Sequence, residues 1–457
     1  MSWVFFAWHV PHYIFLIVLC TGVSFYAAKF IGRFEHLSDA EPNADNQNSH
    51  QLLLSKIVLG VAIGLILSML LWFKYAGFFA TVIADILSLI QAEPDKKGGT
   101  IFSDLILPIG ISFYSFQAIS YVVDVYRGKT VAEQSFVRLA FYIAFFPQLV
   151  AGPIVRARDF LYQLQRKRRF RLAMFSEGGY LILRGLFLKI VIADNLGQIV
   201  DKYWQQTADD PSGLLATSLL VFFAFQLLCD FAGYSDIARG IAYQLGFRLP
   251  VNFNAPYIAT SFAEFWQRWH ITLSSWLRDY VYIPLGGNRY SNLLTLRNLA
   301  IVMVLSGLWH GANYTFLIWG CILGLALAVE RGLASRFNLG RLASPLGLIW
   351  VQLVWIVSLA FFRSENSGQA IDVLSQSVRL PIGIYVHSID WQMAEGLVIF
   401  GWVLIVPACL MHLRVWLQER FDWSTAGLVE RSAYAGFMLA CILMMYSSTQ
   451  AFIYFQF

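Results

Sequence analysis

A series of apolar segments, each long enough to cross a lipid bilayer, limits what this chain can fold into. An α-helix crosses the hydrocarbon core with about 17 or more residues. Only 13% of the residues are charged and 58% are apolar, so a water-soluble globule would lack polar surface. We therefore predict an all-α polytopic membrane protein of about nine to eleven transmembrane helices. The apolar segments lie near 11–31, 52–73, 75–92, 105–123, 178–200, 212–236, 346–362, 394–411 and 431–452.

The charges on the loops indicate a topology. If the basic loop 156–171 is cytoplasmic, alternation of the spans places two acidic stretches, 34–50 and 201–211, on the outer side. Cytoplasmic loops carry an excess of Lys and Arg, and the remaining arginine-rich loops then fall on the inner side. Those loops are 124–138, 237–298, 330–341 and 412–430.

Two apolar stretches do not fit a simple crossing. Residues 139–155 contain Pro147, Gly152 and Pro153, and residues 299–329 are too long for one span and are interrupted at Trp309-His310-Gly311. The topology requires each stretch to enter and leave on one side, as a re-entrant segment or a tight hairpin. Irregular backbone at membrane depth is tolerated where it is buried in protein or lines a wet cavity. We predict a cavity with His310 in its wall.

His310 lies in the string SGLWHGANYTF with small neighbours, namely Ser306, Gly307, Gly311 and Ala312, which would leave room for a substrate. A histidine in an apolar site stays neutral, and a neutral imidazole can take a proton from a hydroxyl as general base. A structural histidine, hydrogen-bonded to a neighbouring helix, explains the position equally well.

The segment 252–298 mixes aromatic and charged residues, which suits helices at or just below the headgroup layer. It contains His270, a second catalytic candidate, although position alone favours a structural histidine paired with a carboxylate. Glu264 and Arg268 are four residues apart, the spacing of an ion pair on a helix surface. Arg278 and Asp279 also suit ion pairs better than catalysis.

Other charged groups leave alternatives open. Asp230 and Asp236 end a span and either line the cavity, cap a helix or accompany a buried arginine. The run Arg166 to Arg169 is typical of a topology signal, with a site for a phosphorylated donor as the alternative.

Several classes of function lack their signatures. The chain has no Walker loop, no dinucleotide fingerprint after a strand and no Gly-x-Ser-x-Gly elbow, which argues against an ATP-driven pump or a serine hydrolase. Five cysteines without paired spacing predict neither disulfides nor a metal site. No basic stretch is attached to a soluble module, so nucleic acid is not an expected partner.

Several strings resemble the membrane-bound O-acyltransferase family, in its bacterial polysaccharide and alginate O-acetylase branch. They are FFPQLVAGPIVR (145–156), VNFNAPYIATSFAEFWQRWHITLSSWLRDYVYIPLGGNR (251–289), LWHGANYTFLIWG (308–320), FFRSENSGQA (361–370) and FIYFQF (452–457). The resemblance implies many helices, some of them re-entrant or interfacial, around a central funnel or tunnel. It divides one membrane domain into N-terminal helices (1–104), a catalytic core (105–330) and C-terminal helices (331–457).

The resemblance also implies the site residues. It places the family's catalytic histidine at His310 and its second histidine, in the string RWH, at His270. His270 would orient the donor or stabilise developing charge. Tyr314 stands where many relatives carry Trp. The residues expected to line the substrate tunnel are Trp309, Asn313, Trp266, Arg268, Arg278 and Asp279.

The activity implied is transfer of an acetyl group from a cytoplasmic thioester donor, acetyl-CoA or an acyl carrier, across a bacterial inner membrane. The acceptor would be a polysaccharide such as alginate, reached with an extracytoplasmic acetyltransferase partner, and no cofactor would be tightly bound. Peptidoglycan or cellulose acetylation and D-alanyl transfer to teichoic acid stay open. A secondary transporter with a midplane site is the alternative from another class.

Overall fold

The protein is described by a computed structural model covering residues 2–7, 10–33, 46–90, 107–205, 213–336, 343–378, 391–421, 427–445 and 452. Within these ranges the regular elements are helices. They are α1 (Ser2–Ala7), α2 (Ile14–Ile31), α3 (Asn46–Leu70), α4 (Ala76–Ile90), α5 (Ile111–Tyr126), α6 (Phe136–Ile143), α7 (Phe146–Leu149), α8 (Ala157–Leu164), α9 (Leu172–Leu186), α10 (Asp194–Tyr203), α11 (Gly213–Gln244), α12 (Phe262–Arg268), α13 (Ile271–Leu277), α14 (Asn292–His310), α15 (Tyr314–Arg336), α16 (Ala343–Arg363), α17 (Ser367–Ser377), α18 (Trp391–Phe421) and α19 (Leu428–Met444).

Seven helical segments in the described residues are long and apolar enough to cross a membrane, so the predicted all-α polytopic architecture is confirmed. They are Pro11–Ile31, His50–Ser88, Gly213–Gln244, Asn292–His310, Tyr314–Leu333, Pro345–Arg363 and Gly396–Phe421. Parts of the predicted topology lie outside the described residues, including 34–45, 206–211, 337–341 and 453–457.

The predicted boundary between spans 52–73 and 75–92 is wrong. Helices α3 and α4 are joined by a π-helical turn, Leu71–Tyr75, and form one continuous helix. No proline interrupts the junction, and a π turn absorbs an extra residue without ending the helix. The prediction placed 34–50 on the outer side by counting 52–73 and 75–92 as two separate crossings. The continuous helix has no turn between them, so this part of the predicted topology loses its support.

The chain divides into two compact units, of which the first comprises Met1–Met174 and Ala242–Pro250. In this unit α2 packs against α3, α5 and α6. The irregular stretch 139–155 forms the short helices α6 and α7 with extended chain after them. Tyr142 donates its hydroxyl to the Val155 carbonyl at 2.8 Å, and Gln148 donates to the Tyr142 carbonyl at 3.0 Å. The irregular backbone is thus buried in protein, as predicted for this stretch.

The second unit comprises Phe175–Ile241 and Val251–Phe457. Its most extensive helix contact joins α14 and α15, which form a hairpin with its turn at residues 311–313. Of the two predicted alternatives for 299–329, the structure has the tight hairpin, and each of its helices is long enough to span. A Cβ atom at Gly307 would overlap the Phe316 carbonyl, so only glycine permits this close backbone approach.

Helices α9 and α11 also cross with their backbones in contact. A Cβ atom at Gly185 would lie 2.5 Å from the Gly233 carbonyl oxygen, and one at Gly233 would lie 2.7 Å from that of Gly185. Small residues at crossing points allow membrane helices to approach closely. The crossing brings Arg184, next to the first glycine, within reach of Asp236 on α11.

The segment 252–298, predicted to lie at or just below the headgroup layer, packs part of its aromatic side chains into the protein, and its depth in the membrane stays a prediction. It contains the short helices α12 and α13, and two of its tryptophans, Trp269 and Trp276, are buried. The ring centroids of Trp269 and Trp355 lie 4.8 Å apart, and those of Phe265 and Trp355 lie 4.7 Å apart. Because α16 supplies a complementary aromatic surface, these side chains pack into the protein.

Candidate active site

His310 is the last residue of α14 and is only 5% exposed. Three aromatic rings surround its imidazole, with centroid distances of 5.0 Å to Trp309, 5.2 Å to Trp319 and 5.3 Å to Phe362. These rings come from both helices of the hairpin and from α16. The imidazole therefore lies in an apolar, nearly dry environment at the turn of the hairpin.

His270 precedes α13 and is 1% exposed. Its ring centroid lies 4.7 Å from that of Phe231 and 5.7 Å from that of Trp309. Trp309 thus contacts both histidines with one indole ring. The structure brings together three residues that the sequence selected from separate motifs, namely His270, Trp309 and His310.

Burial affects the charge of His270. Desolvation lowers the pKa of its imidazole to about 3, so this ring is neutral at physiological pH. Its backbone is left-handed, with φ of 41°, a conformation that residues other than glycine seldom adopt. Surrounding contacts must maintain this strained conformation.

Asn252 supplies several of those contacts. Its side-chain Oδ1 lies 3.2 Å from His270 Nδ1, 3.2 Å from the Thr272 amide nitrogen and 2.9 Å from Thr272 Oγ1. Its backbone carbonyl accepts a hydrogen bond from the Ile271 amide at 2.9 Å. Asn252 is 1% exposed, so these contacts lie inside the protein.

A cavity of about 360 Å³ lies beside this site, and Asn252 is part of its wall. Its polar lining comes from α9, α11, the extended segment after residue 250 and α18. The polar and charged lining residues include Arg184, Asp236, Arg239, Asn252, Asn254 and His412. The sequence predicted a cavity wall at His310, but His310 is not among the residues that line this cavity. Of the two predicted catalytic histidines, His270 is connected to the cavity through its contact with Asn252.

The charged groups of the cavity wall form ion pairs with one another or with Arg431. Arg184 donates to Asp236 Oδ2 at 2.7 and 2.8 Å, and Arg239 donates to Asp236 Oδ1 at 3.3 Å. Glu177, also in the wall, pairs with Arg431 at 3.1 Å. Two guanidinium groups therefore share one carboxylate. The buried Nε of Arg239 finds no hydrogen-bond partner among the described residues.

The two aspartates that the sequence left open have different partners. Asp236 lines the cavity and accompanies arginines, two of its predicted alternatives. Asp230 lies 2.6 Å from Lys189 Nζ, which also contacts Asp194 at 2.7 Å. This cluster joins α11 to the π-helical segment Phe187–Ala193. Asp230 therefore has a structural partner, a lysine rather than an arginine.

The remaining predicted tunnel residues have contacts of their own. Arg268 pairs with Glu264 at 2.9 Å, as its spacing predicted, and forms a bidentate pair with Glu419 of α18 at 2.7 and 3.0 Å. Arg278 pairs with Asp279 at 2.9 Å. Asn313 donates to the Glu365 carbonyl at 3.0 Å. Roles for these residues toward a substrate stay predictions.

Trp266 lies one ring away from the histidine site. Its centroid is 6.4 Å from that of Trp319, which in turn contacts His310.

Arg168, from the run expected to set topology, belongs to the first unit. There it donates to the Gly246 carbonyl at 2.6 Å and covers the Phe247 ring.

Sequence reasoning missed Asn252, Arg184, Arg239 and His412. Arg184 had a detectable signal, since it is an ionisable residue inside the apolar segment 178–200. Asn252 lies in the string 251–289 that carries the family resemblance, but an asparagine in that position indicates no chemistry by its residue type alone. His412 was left without a role, although it lines the cavity and stacks on Tyr257 with centroids 5.4 Å apart.

Comparison with known proteins identifies the family. Residues 4–362 match the membrane-bound O-acyltransferase family, over most of the chain and over both histidines. The chain belongs to the membrane-bound O-acyltransferase family. The resemblance noted in the motifs is thereby confirmed, and the multi-pass helical architecture agrees with that family.

Two proteins that are similar in sequence to this chain are named as probable alginate O-acetylases. The chain is 41% identical to the probable alginate O-acetylase of Pseudomonas putida over 343 residues, or 74% of this chain and 66% of that protein. It is 42% identical to the probable alginate O-acetylase of Pseudomonas aeruginosa over 68% of this chain and 58% of that protein. The matched part thus spans less than two thirds of these relatives.

Other relatives have different named acceptors. The peptidoglycan O-acetyltransferase of Helicobacter pylori is 32% identical over 87% of this chain and 82% of its own length. The teichoic acid D-alanyltransferase of Bacillus subtilis is 30% identical over 48% of this chain and 57% of its own length. Identity is thus higher to the alginate relatives, whereas coverage is greater for the peptidoglycan relative.

Proposed function

We propose that this chain transfers an acetyl group from a cytoplasmic thioester donor, acetyl-CoA, for O-acetylation of a polysaccharide outside a bacterial inner membrane. The observation that carries the proposal is the pair of buried histidines in contact with one tryptophan ring. Family membership supports acyl transfer. The alginate and peptidoglycan relatives support an acetyl group and a glycan acceptor.

The environment of His310 supports its role as general base. Aromatic rings exclude water around the imidazole, and an apolar site favours the neutral form that accepts a proton. In the proposed step His310 takes the proton of a hydroxyl while the hydroxyl oxygen attacks the thioester carbonyl. The carbon–sulfur bond then breaks, and the thiolate leaves and takes up a proton. The attacking hydroxyl belongs to the glycan or to a partner protein that relays the acetyl group.

The cavity is suited to the donor. Arg184 and Arg239 line the cavity and share the Asp236 carboxylate, and Arg guanidinium groups bind phosphate well. Acetyl-CoA carries phosphates. The cavity lies near the ends of α11 and α18, which precede loops expected on the cytoplasmic side. Arg184 and Arg239 would hold the donor's phosphates there.

The hairpin is suited to transfer across the membrane. Both of its outer ends adjoin loops expected on the cytoplasmic side, and α14 has 19 residues. At 1.5 Å per residue its length is about 28 Å, close to the thickness of the hydrocarbon core. His310 at the turn would therefore approach the outer side, where a polysaccharide and an extracytoplasmic acetyltransferase partner would receive the acetyl group.

The first experiment uses purified protein in nanodiscs with radiolabelled acetyl-CoA and compares the wild type with His310→Ala. We expect acetyl transfer or thioester hydrolysis in the wild type and a fall in kcat of about 10²- to 10⁴-fold in the variant. Asn366→Ala, at the start of α17, is a control because Asn366 caps that helix outside the histidine site. Equal turnover in the wild type and His310→Ala would contradict the proposal.

A D-alanyl transferase is the second candidate, favoured by the similarity to the Bacillus subtilis protein. That activity would use a thioester on a carrier protein. Loading assays with acetyl-CoA, acetylated carrier and D-alanylated carrier distinguish the two. Turnover with the D-alanylated carrier alone would replace the acetyl proposal, whereas turnover with acetyl-CoA alone would support it. Uptake of substrate into sealed vesicles without acyl transfer would favour the transporter.

A further inference from the structure

The atoms around the Asn252 side chain determine its orientation. The Thr272 backbone amide donates a hydrogen bond to the side-chain atom labelled Oδ1, at 3.2 Å. An amide N–H is only a donor, so the atom it faces must be the carbonyl oxygen of Asn252 and not its NH₂ group. The same oxygen lies 2.9 Å from Thr272 Oγ1. The amide of Asn252 thus has one acceptable orientation.

This orientation determines which nitrogen of His270 carries the proton. His270 Nδ1 lies 3.2 Å from Asn252 Oδ1, and a carbonyl oxygen only accepts. Nδ1 must therefore be protonated. In a neutral imidazole, one nitrogen carries hydrogen and the other a lone pair. The lone pair then belongs to Nε2.

We propose that Asn252 is a positioning residue that holds His270 as the Nδ1–H tautomer, so that His270 acts through Nε2 as a hydrogen-bond acceptor. The proposal rests on the proposed acyl transfer for the role of His270, but not for its tautomer. Two roles were expected for His270, namely orientation of the donor and stabilisation of developing charge. The Nδ1–H tautomer favours orientation of the donor. A neutral ring without hydrogen on Nε2 has no N–H there to stabilise developing negative charge.

The backbone contributes to the same arrangement. The Asn252 carbonyl accepts from the Ile271 amide at 2.9 Å, and the Asn254 amide donates to the Arg268 carbonyl at 2.9 Å. These bonds hold the extended segment after residue 250 along the junction of α12 and α13. His270 has its left-handed φ at this junction. Asn252 therefore holds this junction in two ways. Its backbone carbonyl binds the amide of Ile271, and its side-chain oxygen binds the imidazole of His270.

The surroundings of His270 keep the ring neutral. Its ring neighbours are Phe231, Phe253 and Trp309, all uncharged. Charged groups on the packed elements have carboxylate or ammonium partners elsewhere: Asp230 of α11 pairs with Lys189, and Arg268 of α12 pairs with Glu264 and Glu419. A second imidazole, that of His310, lies beyond Trp309. Burial lowers the pKa of His270 to about 3, which agrees with a neutral tautomer.

The direct test is ¹⁵N NMR of the full chain in nanodiscs with ¹⁵N-labelled histidine. The His270 signals are identified by their loss in His270→Gln. We expect a protonated Nδ1 and an unprotonated Nε2 in the wild type, and loss of this preference in Asn252→Ala. A protonated Nε2 in the wild type, or an unchanged tautomer in Asn252→Ala, would overturn the proposal.

An activity series separates positioning from general stability. Asn252→Ala should lower kcat by about 10- to 100-fold, as loss of a partner that orients a histidine does elsewhere. Thr272→Val is the matched control, because it removes one hydrogen bond to Asn252 Oδ1 but leaves the bond from His270. We expect its kcat within about threefold of the wild type. A loss in Thr272→Val equal to that in Asn252→Ala, with both thermally destabilised, would assign Asn252 a merely structural role and contradict the proposal.

Asn252→Asp adds a readout that a structural role would not change. Its carboxylate still accepts from Nδ1 but favours the imidazolium, which lacks the Nε2 lone pair. We therefore expect activity near the wild type at high pH and an acid limb displaced upward in pH. A profile that parallels the wild type would contradict the proposed acceptor role. If the spectra show the Nδ1–H tautomer but the wild type transfers no acyl group, the positioning by Asn252 stands and the proposed function fails.

Discussion

The histidine site and the neighbouring cavity bury polar groups in opposite ways. Around His270 and His310 the neighbours are aromatic rings. In the cavity wall, Arg184 and Arg239 are charged and both form ion pairs with Asp236. Burying a charge is costly unless it is paired, whereas a neutral imidazole needs only its hydrogen bonds. Asn252 is common to both regions, because it lines the cavity and binds His270.

Under the proposed function, the two regions would have separate tasks. The cavity would bind the anionic donor through the guanidinium groups of Arg184 and Arg239. The histidine site surrounds its two imidazoles with aromatic rings, which suits the proposed role of His310 as general base. Changes at the histidine site should therefore affect kcat, and loss of an arginine from the cavity wall should affect KM for the donor.

The largest effect is expected at Trp309, whose ring contacts both histidines. Trp309→Ala should lower kcat by about 10²-fold, since displacement of reacting groups by about 1 Å has this effect. Trp309→Phe retains an aromatic ring and should recover much of the activity. Steady-state kinetics in nanodiscs measure both. A change confined to KM in Trp309→Ala would contradict the division of tasks.

A smaller effect is expected from Arg239→Gln, which removes one of the two guanidinium groups that share Asp236. The KM for acetyl-CoA should rise about tenfold, equivalent to about 1.4 kcal/mol, with little change in kcat. Arg414→Gln is the matched control, because Arg414 pairs with Glu430 and does not line the cavity. Equal increases in KM for both variants would indicate an effect of net charge alone.

The contrast between the two regions also explains what the sequence could predict. Apolar length and charge bias predicted the helical membrane fold, because those properties act over whole segments. His310 and His270 were selected through their motifs, and the break at Trp309-His310-Gly311 predicted a re-entrant segment or a hairpin, of which the structure has the hairpin. In each case the information lay within a single segment or motif of the sequence.

Other features depended on packing that no local pattern encodes. The continuous helix through Leu71–Tyr75 depends on a π turn, which leaves no distinctive residue at the junction. The pairing of Arg184 with Asp236 depends on the glycine crossing of α9 and α11. The role of Asn252 depends on the fold, which brings it into contact with His270, a residue eighteen positions further along the chain.

A still smaller effect is expected at His412, the histidine that lines the cavity. His412 Nδ1 lies 2.8 Å from the Ala408 carbonyl of its own helix, and its ring stacks on Tyr257. These contacts are structural, so His412→Gln should change kcat and the donor KM by less than about threefold. A loss of kcat comparable to that of His310→Ala would add a third histidine to the chemistry and remove the contrast between the two regions.

The smallest effect is protonation of the His270 ring in the folded protein, which should be absent from pH 5 to pH 8. Burial lowers its pKa to about 3 in the folded protein, against about 6.5 in an unfolded chain. Between those values the unfolded chain binds a proton that the folded protein does not, so His270 reduces stability as pH falls through 6.5 and has no effect on it at higher pH. Titration of the His270 ¹⁵N signals tests this directly. An imidazolium signal at pH 5 would mean that charge enters the histidine site, and the contrast with the cavity would then disappear.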